Sequence, residues 1–211
     1  MYLRDTLGAV GIELILPDLR RISGVESGDS GNFTVTSAVA ALEAAVESIP
    51  AEKRPVRIIG SSLGAYVAAV YASKPENQGA VDRVMLLAPP FKLDALLAEG
   101  RLEKSLGVTL SDEFKADAAL HPPFPFLTCR AYVVHGYDDE AAPLANSLTW
   151  VRDASVNMRA GATANEGEVA AERRLLEVGG MGHSIEDGLP QIKAKLIDFF
   201  KLPFVLPEGF E

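Results

Sequence analysis

Short apolar runs alternate along this chain with segments of helical periodicity, and that alternation restricts the fold more than any other feature. Five runs have strand character: Ile12-Glu13-Leu14-Ile15-Leu16, Val56-Arg57-Ile58-Ile59, Val84-Met85-Leu86-Leu87, Ala131-Tyr132-Val133-Val134 and Leu175-Leu176-Glu177-Val178. Between the first two, Val39, Leu42, Val46 and Ile49 recur at about helical spacing in an Ala-rich stretch that ends at Pro50. Near the end, Ile192, Leu196, Phe199 and Phe200 form a second apolar helical face, with Lys193, Lys195 and Asp198 turned elsewhere and Pro203 as a stop. A parallel sheet covered by helices satisfies this order, because each parallel crossover needs a helix-sized connection that lands on a sheet face. The expected class is α/β, with a mainly parallel sheet of about five strands. At 211 residues and 48% apolar content, the whole chain 1–211 is expected to form one domain.

Two stretches interrupt the rhythm. Residues 90–128 hold Leu93, Leu96, Leu97 and Leu102 at helical spacing and end in His121-Pro122-Pro123-Phe124-Pro125-Phe126. This is too long for a plain connection and reads as a small cap. Residues 155–173, rich in Ala, Asn, Glu and Gly, lack hydrophobic periodicity and read as a surface insertion. The charge balance, 20 basic against 29 acidic residues for a net −9, argues against a nucleic-acid partner, since phosphate binding needs a basic surface. No apolar stretch approaches the roughly 20 residues of a membrane helix, and the first residues do not open a signal peptide. The single cysteine, Cys129, excludes an internal disulfide and reads as a small hydrophobe at a strand start. A cytoplasmic location follows as an expectation.

The second run passes directly into Gly60-Ser61-Ser62-Leu63-Gly64, and Ala65-Tyr66-Val67-Ala68-Ala69-Val70-Tyr71-Ala72 continues with helical character. A G-x-S-x-G turn between strand and helix lifts its serine clear of the sheet in a strained conformation. The expectation is that strand and helix approach so closely that Gly60 and Gly64 are both required. Ser62 is then the candidate nucleophile, and the Leu63 N–H at the helix start is the candidate oxyanion donor. A phosphate-binding loop does not fit, because Ala65-Tyr66 stand where it needs Lys-Ser/Thr.

A serine nucleophile needs a base, and usually an acid to orient that base. Of the three histidines, His121 lies in the expected cap and His135 closes the fourth run. His183 stands in the loop Gly179-Gly180-Met181-Gly182-His183-Ser184 after the fifth, which makes it the candidate base. Loops at the carboxyl ends of parallel strands are where such sheets gather their chemistry. The fourth run ends in His135-Gly136-Tyr137-Asp138-Asp139-Glu140, where Asp138 and Asp139 are alternative acids and Asp138 has a second reading as a turn stabiliser. The order serine, aspartate, histidine is that of α/β hydrolases and differs from the chymotrypsin and subtilisin orders.

With these motifs in place, the chain resembles an α/β hydrolase, and more narrowly the small YqiA/YcfP-type esterases. Leu16-Pro17-Asp18-Leu19-Arg20, Ile59 to Tyr66, Leu86-Leu87-Ala88-Pro89-Pro90-Phe91, His135 to Glu140 and Gly182-His183 carry the likeness. The resemblance implies an α/β-hydrolase fold and hydrolysis of a small-molecule ester or thioester through an acyl-enzyme, without metal or organic cofactor. It maps the acid of His-Gly-x-x-Asp onto Asp139. Phe91, Phe124 and Phe126 are expected walls of an apolar acyl pocket, with core packing as their alternative role.

The chain departs from that pattern at its amino end. Members of the family begin with a strand and a His-Gly-Phe-like loop that supplies a second oxyanion donor, whereas Met1 to Val10 resemble only the end of the helix that follows. Such a chain is expected to start late, at an internal methionine or without a first exon. The missing strand would leave a gap between the runs at 12–16 and 56–59. Losing one oxyanion donor costs about 100- to 1000-fold in rate. The alternative reading is a non-catalytic binding or scaffold protein, or an inactive truncated form.

Overall fold

The computed structural model describes residues 13–17, 33–107, 109–152 and 172–202. Four strands, β1 (Val56–Ser61), β2 (Val81–Leu87), β3 (Arg130–Gly136) and β4 (Arg173–Val178), form one sheet in the order β1-β2-β3-β4. Every pair is parallel. The registers Ser61↔Leu87, Leu87↔Val134 and Gly136↔Val178 bring the carboxyl ends of all four strands to nearly one level.

Because strand side chains alternate between faces, β2, β3 and β4 divide their apolar residues between two cores. Val84, Leu86, Ala131 and Val133 face one layer, built from α1 (Val35–Glu47), α2 (Leu63–Ser73) and Trp150 of α6 (Leu144–Arg152). Met85, Leu87, Tyr132, Val134 and Val178 face the other, where Ile192, Phe199 and Phe200 of α7 (Leu189–Phe200) cover them. The first helix starts at a capping box, Thr34 and Ser37 each accepting the other's backbone N–H. The last helix ends against the sheet, its Phe199 carbonyl accepting from Arg83 at 2.6 Å and its Phe200 carbonyl from Arg57.

The expected fifth strand is absent where it is described: residues 13–17 carry no strand, and Ile15 and Leu16 are 42% and 72% exposed. Ile12 lies outside the described residues. A strand exists only through its hydrogen-bonded neighbours, and among the described residues β1 has one neighbour, β2. Ile59 of β1 is accordingly 38% exposed, although it reads as a core residue. The expected helix end at 1–10 and the Asp18-Leu19-Arg20 stretch also lie outside the described residues.

Between β2 and β3 the chain forms three short helices, α3 (Leu93–Ala98), α4 (Arg101–Leu106) and α5 (Asp112–Ala118), where one helix was expected through Leu102. The break falls at Gly100, whose φ of +66° suits glycine and ends a helix. Of the insertion expected at 155–173, residues 155–171 lie outside the described residues, and Arg173 is the first residue of β4.

Phe91 and Trp150, both 0% exposed, stack with ring centroids 4.9 Å apart, and Trp150 Nε1–H donates to the Pro125 carbonyl at 2.9 Å. This contact ties the segment after β2 to α6. Phe91→Ala is expected to lower unfolding stability by about 3–5 kcal/mol in urea titrations followed by circular dichroism. Leu120→Ala, at a position 81% exposed, is expected to stay within about 0.5 kcal/mol of the parent. Equal midpoints for the two variants would reject this assignment of the core.

Candidate active site

The backbone beyond the strand ends is stitched to neighbouring strands. Ser62 N–H donates to the Leu87 carbonyl at 2.8 Å, Ala88 N–H to Val134 at 2.9 Å and Tyr137 N–H to Val178 at 3.0 Å. Asp138 N–H then donates to the Met181 carbonyl at 3.1 Å. The loops after β1, β3 and β4 therefore leave the same end of the sheet, which is how residues distant in sequence come to share one site.

Ser62 sits between β1 and α2 with φ 51° and ψ −124°, a left-sided conformation that costs a non-glycine residue about 1–3 kcal/mol. Gly60 is needed for this turn: a Cβ there would run into the Gly64 carbonyl and lie 2.6 Å from Ala65 Cα. Gly64, contrary to expectation, is not needed for the same reason, since a Cβ on it would meet open space. Leu63 is the first residue of α2, and a first-position N–H has no acceptor within its own helix.

Ser62 Oγ lies 2.7 Å from His183 Nε2, and His183 Nδ1 lies 2.9 Å from Asp139 Oδ2 and 3.1 Å from Oδ1. A carboxylate only accepts, so the Nδ1 that faces it carries the proton, leaving Nε2 free to accept the Ser62 O–H. His183 is held by its loop: Met181 is fully buried, and its carbonyl lies so close to Gly136 that any side chain there would overlap it.

Of the two acid candidates, the structure brings Asp139 to the histidine and leaves Asp138 exposed. Asp139 Oδ1 also accepts the N–H groups of Ala141 at 3.0 Å and Ala142 at 2.8 Å. Burial alone would raise the Asp139 pKa. Contacts with His135 and His183 and the Ala142 N–H outweigh it and hold the carboxyl well below the usual range. The two alanine donors were not singled out in the sequence, because any non-proline residue supplies a backbone N–H. The only signal was their place two and three residues after an aspartate, a spacing at which an Asp side chain accepts from the backbone N–H groups of the turn that follows it.

The remaining candidates separate. Phe91 is a core residue rather than a pocket wall, being fully buried against Trp150. Phe126 lies beside Arg173, whose guanidinium is 5.8 Å from its ring, and Arg173 opens β4 at the end of the sheet opposite Ser62. Phe124 is half-buried, 6.0 Å from Phe91 and 5.4 Å from Lys92 Nζ. Two residues before it, the Pro122 carbonyl accepts from the Tyr66 hydroxyl of α2 at 2.9 Å. His121 bonds Thr36 Oγ1 at 3.0 Å and lies 3.4 Å from Asp117, linking α5 to α1. Cys129 is half-buried, and desolvation pushes its thiol up to about 11. Among the described residues no His/Cys/Asp/Glu group is placed to hold a metal ion, and no helix is long and apolar enough to cross a membrane.

The chain has the α/β-hydrolase fold. It is similar in structure to alpha/beta hydrolase domain-containing protein 10 from mouse, with a TM-score of 0.65 and 16% identity over 84% of this chain and 74% of that one. It is also similar to Est1E from Butyrivibrio proteoclasticus (TM-score 0.60, 16% identity, 80% and 70% covered). A monoacylglycerol lipase from Paleococcus ferrophilus gives a TM-score of 0.55 at 14% identity, with 80% and 76% covered. No family model matches the sequence, and no curated protein matches it.

A carboxyl held below its unfolded pKa adds stability that is present above about pH 4 and is lost as pH falls toward the folded value. Asp139→Asn is therefore expected to show a shallower loss of urea stability between pH 6 and pH 3 than the parent, whatever its stability at neutral pH. Parallel pH profiles would contradict the Asp139 environment described.

Proposed function

We propose that this protein is a serine hydrolase that cleaves a carboxylic ester or thioester of a small molecule through an acyl-enzyme, with Ser62, His183 and Asp139 as its triad. The observation that carries this reading is the unbroken chain from Ser62 Oγ through His183 to Asp139, at 2.7 and 2.9 Å, starting from a serine in the strained turn. In the mechanism, His183 Nε2 takes the Ser62 proton as Oγ bonds to the substrate carbonyl carbon. The Leu63 N–H steadies the oxygen that becomes negative. His183, now cationic and held by Asp139, gives its proton to the leaving alcohol or thiol as the carbonyl re-forms. Water, deprotonated by the same histidine, then attacks the acyl-enzyme and releases the acid and Ser62.

The fold supports this reading, since its neighbours include a protein described as an alpha/beta hydrolase enzyme and one described as a monoacylglycerol lipase. The helices between β2 and β3 act in it as the cap over the site, with Phe124 as an apolar contact for the acyl group. No step calls on a cofactor or a metal ion.

Incubating the protein with a fluorescent fluorophosphonate is expected to label Ser62, and Ser62→Ala abolishes the label. Asp139→Asn is expected to slow labelling and ester hydrolysis by about 10⁴-fold, through loss of the required imidazole tautomer. Asp138→Asn, at an exposed side chain, is expected to change rates by about twofold at most. A folded protein that takes no Ser62-dependent label would overturn the reading in favour of a binding or scaffold role. Competition of the label by esters, thioesters and peptides separates the substrate classes.

A further inference from the structure

His135 is fully buried at the end of β3, and the mechanism above does not use it. Its Nε2 lies 2.7 Å from the Ala142 carbonyl and 3.1 Å from Asp139 Oδ2, and its Nδ1 lies 2.8 Å from Ser147 Oγ on α6. Ser147 is itself 0% exposed. We propose that His135, backed by Ser147, is a positioning residue that fixes the Asp139 carboxylate for His183. The proposal rests on the triad reading given above.

The argument starts from donors and acceptors. A carbonyl and a carboxylate both only accept, so the Nε2 that faces them must carry a proton. In the neutral ring Nδ1 is then an acceptor, and the Ser147 O–H supplies its donor. This buried hydroxyl thereby selects the tautomer that Asp139 needs. The Nε2–H bonds chiefly to the Ala142 carbonyl, while the N–H of that same residue bonds Asp139 Oδ1 at 2.8 Å. His135 therefore grips the carboxylate from two sides: directly at Oδ2, and at Oδ1 through the residue that donates to it. With the Ala141 N–H also on Oδ1, the carboxylate plane has little freedom to rotate, and Oδ2 keeps its 2.9 Å contact with His183 Nδ1. A buried polar group with a partner at both ring nitrogens, beside a charged group with no exposed side-chain surface, is arranged for orientation as well as packing. The sequence offers a matching cue, because the histidine stands four residues before the aspartate and one before the glycine that admits the His183 loop.

The test uses the full chain with labelled histidines, so that NMR follows the His183 ring through a pH titration, alongside the rate of Ser62 labelling by a fluorophosphonate. A glutamine amide nitrogen reaches the place of Nε2, whereas an asparagine amide reaches only that of Nδ1. His135→Asn is expected to slow labelling by about 10- to 100-fold, as for loss of one hydrogen bond to a charged group. It is also expected to lower the His183 titration midpoint, because a carboxylate that has turned away stabilises the imidazolium less. His135→Gln is expected to recover most of both effects. Should His135→Asn fail to fold by circular dichroism, Ser147→Ala carries the test, with an expected loss of about 3- to 10-fold and the same direction of shift. A folded His135→Asn or Ser147→Ala protein with the parent's titration and labelling rate overturns the proposal, as does a glutamine variant as impaired as the asparagine one. If the parent takes no label at Ser62, the hydrolase reading fails, and the His183 titration alone decides whether His135 positions Asp139.

Discussion

The site depends on a hydrogen-bond ladder that outlasts the strands that begin it. Ser62 N–H reaches the carbonyl of Leu87, and Tyr137 N–H reaches that of Val178, each one residue past the end of its own strand. Backbone groups at the end of a buried strand must find partners. In a parallel sheet with aligned carboxyl ends, the nearest partner is the neighbouring strand. That requirement sets the first residue of each loop, and the first residue sets where the loop can go. Ser62 and His183, 121 residues apart in the chain, meet at 2.7 Å because their loops depart from the same carboxyl end of one sheet.

Two unfavourable features are held in place by this frame. The backbone of Ser62 is strained, and the bond to Leu87 together with the close strand–helix approach at Gly60 leaves it no alternative. The Asp139 charge is buried, which would cost several kcal/mol for an isolated carboxylate. It is offset by donors on every side: two backbone N–H groups from the following turn, the His183 ring and the His135 edge. Both features lie at the carboxyl ends of the strands, where the rest of the fold has the packing to stabilise them.

Much of this was legible in the residues. The strands β1 to β4, the helices α1, α2 and α7, and the glycine-flanked turns around Ser62 and His183 all follow from local patterns, since apolar periodicity and glycine report short-range geometry. What escaped depended on neighbours. Residues 13–16 have the composition of a strand but none of its pairing, and nothing local distinguishes the two. Gly64 looks as necessary as Gly60 in the motif, yet only the approach of α2 to β1 shows that one glycine faces backbone and the other open space. Phe91, Phe124 and Phe126 are alike in type and all fall between β2 and β3, and they end in the core, beside Lys92 and beside Arg173 respectively.

Local patterns were enough for the class of fold, for the strands β1 to β4 and the helices α1, α2 and α7, and for a candidate nucleophile, a candidate base and two candidate acids. These are written in periodicity and in glycine, which act within a few residues. The family resemblance pointed to Asp139, and the tertiary structure set that residue, not Asp138, against His183 Nδ1 and drew His135 and Ser147 in behind it. The two aspartates are adjacent in the chain and chemically identical. Only the parallel register of β3 and β4 turns one of them inward to His183 and leaves the other in water.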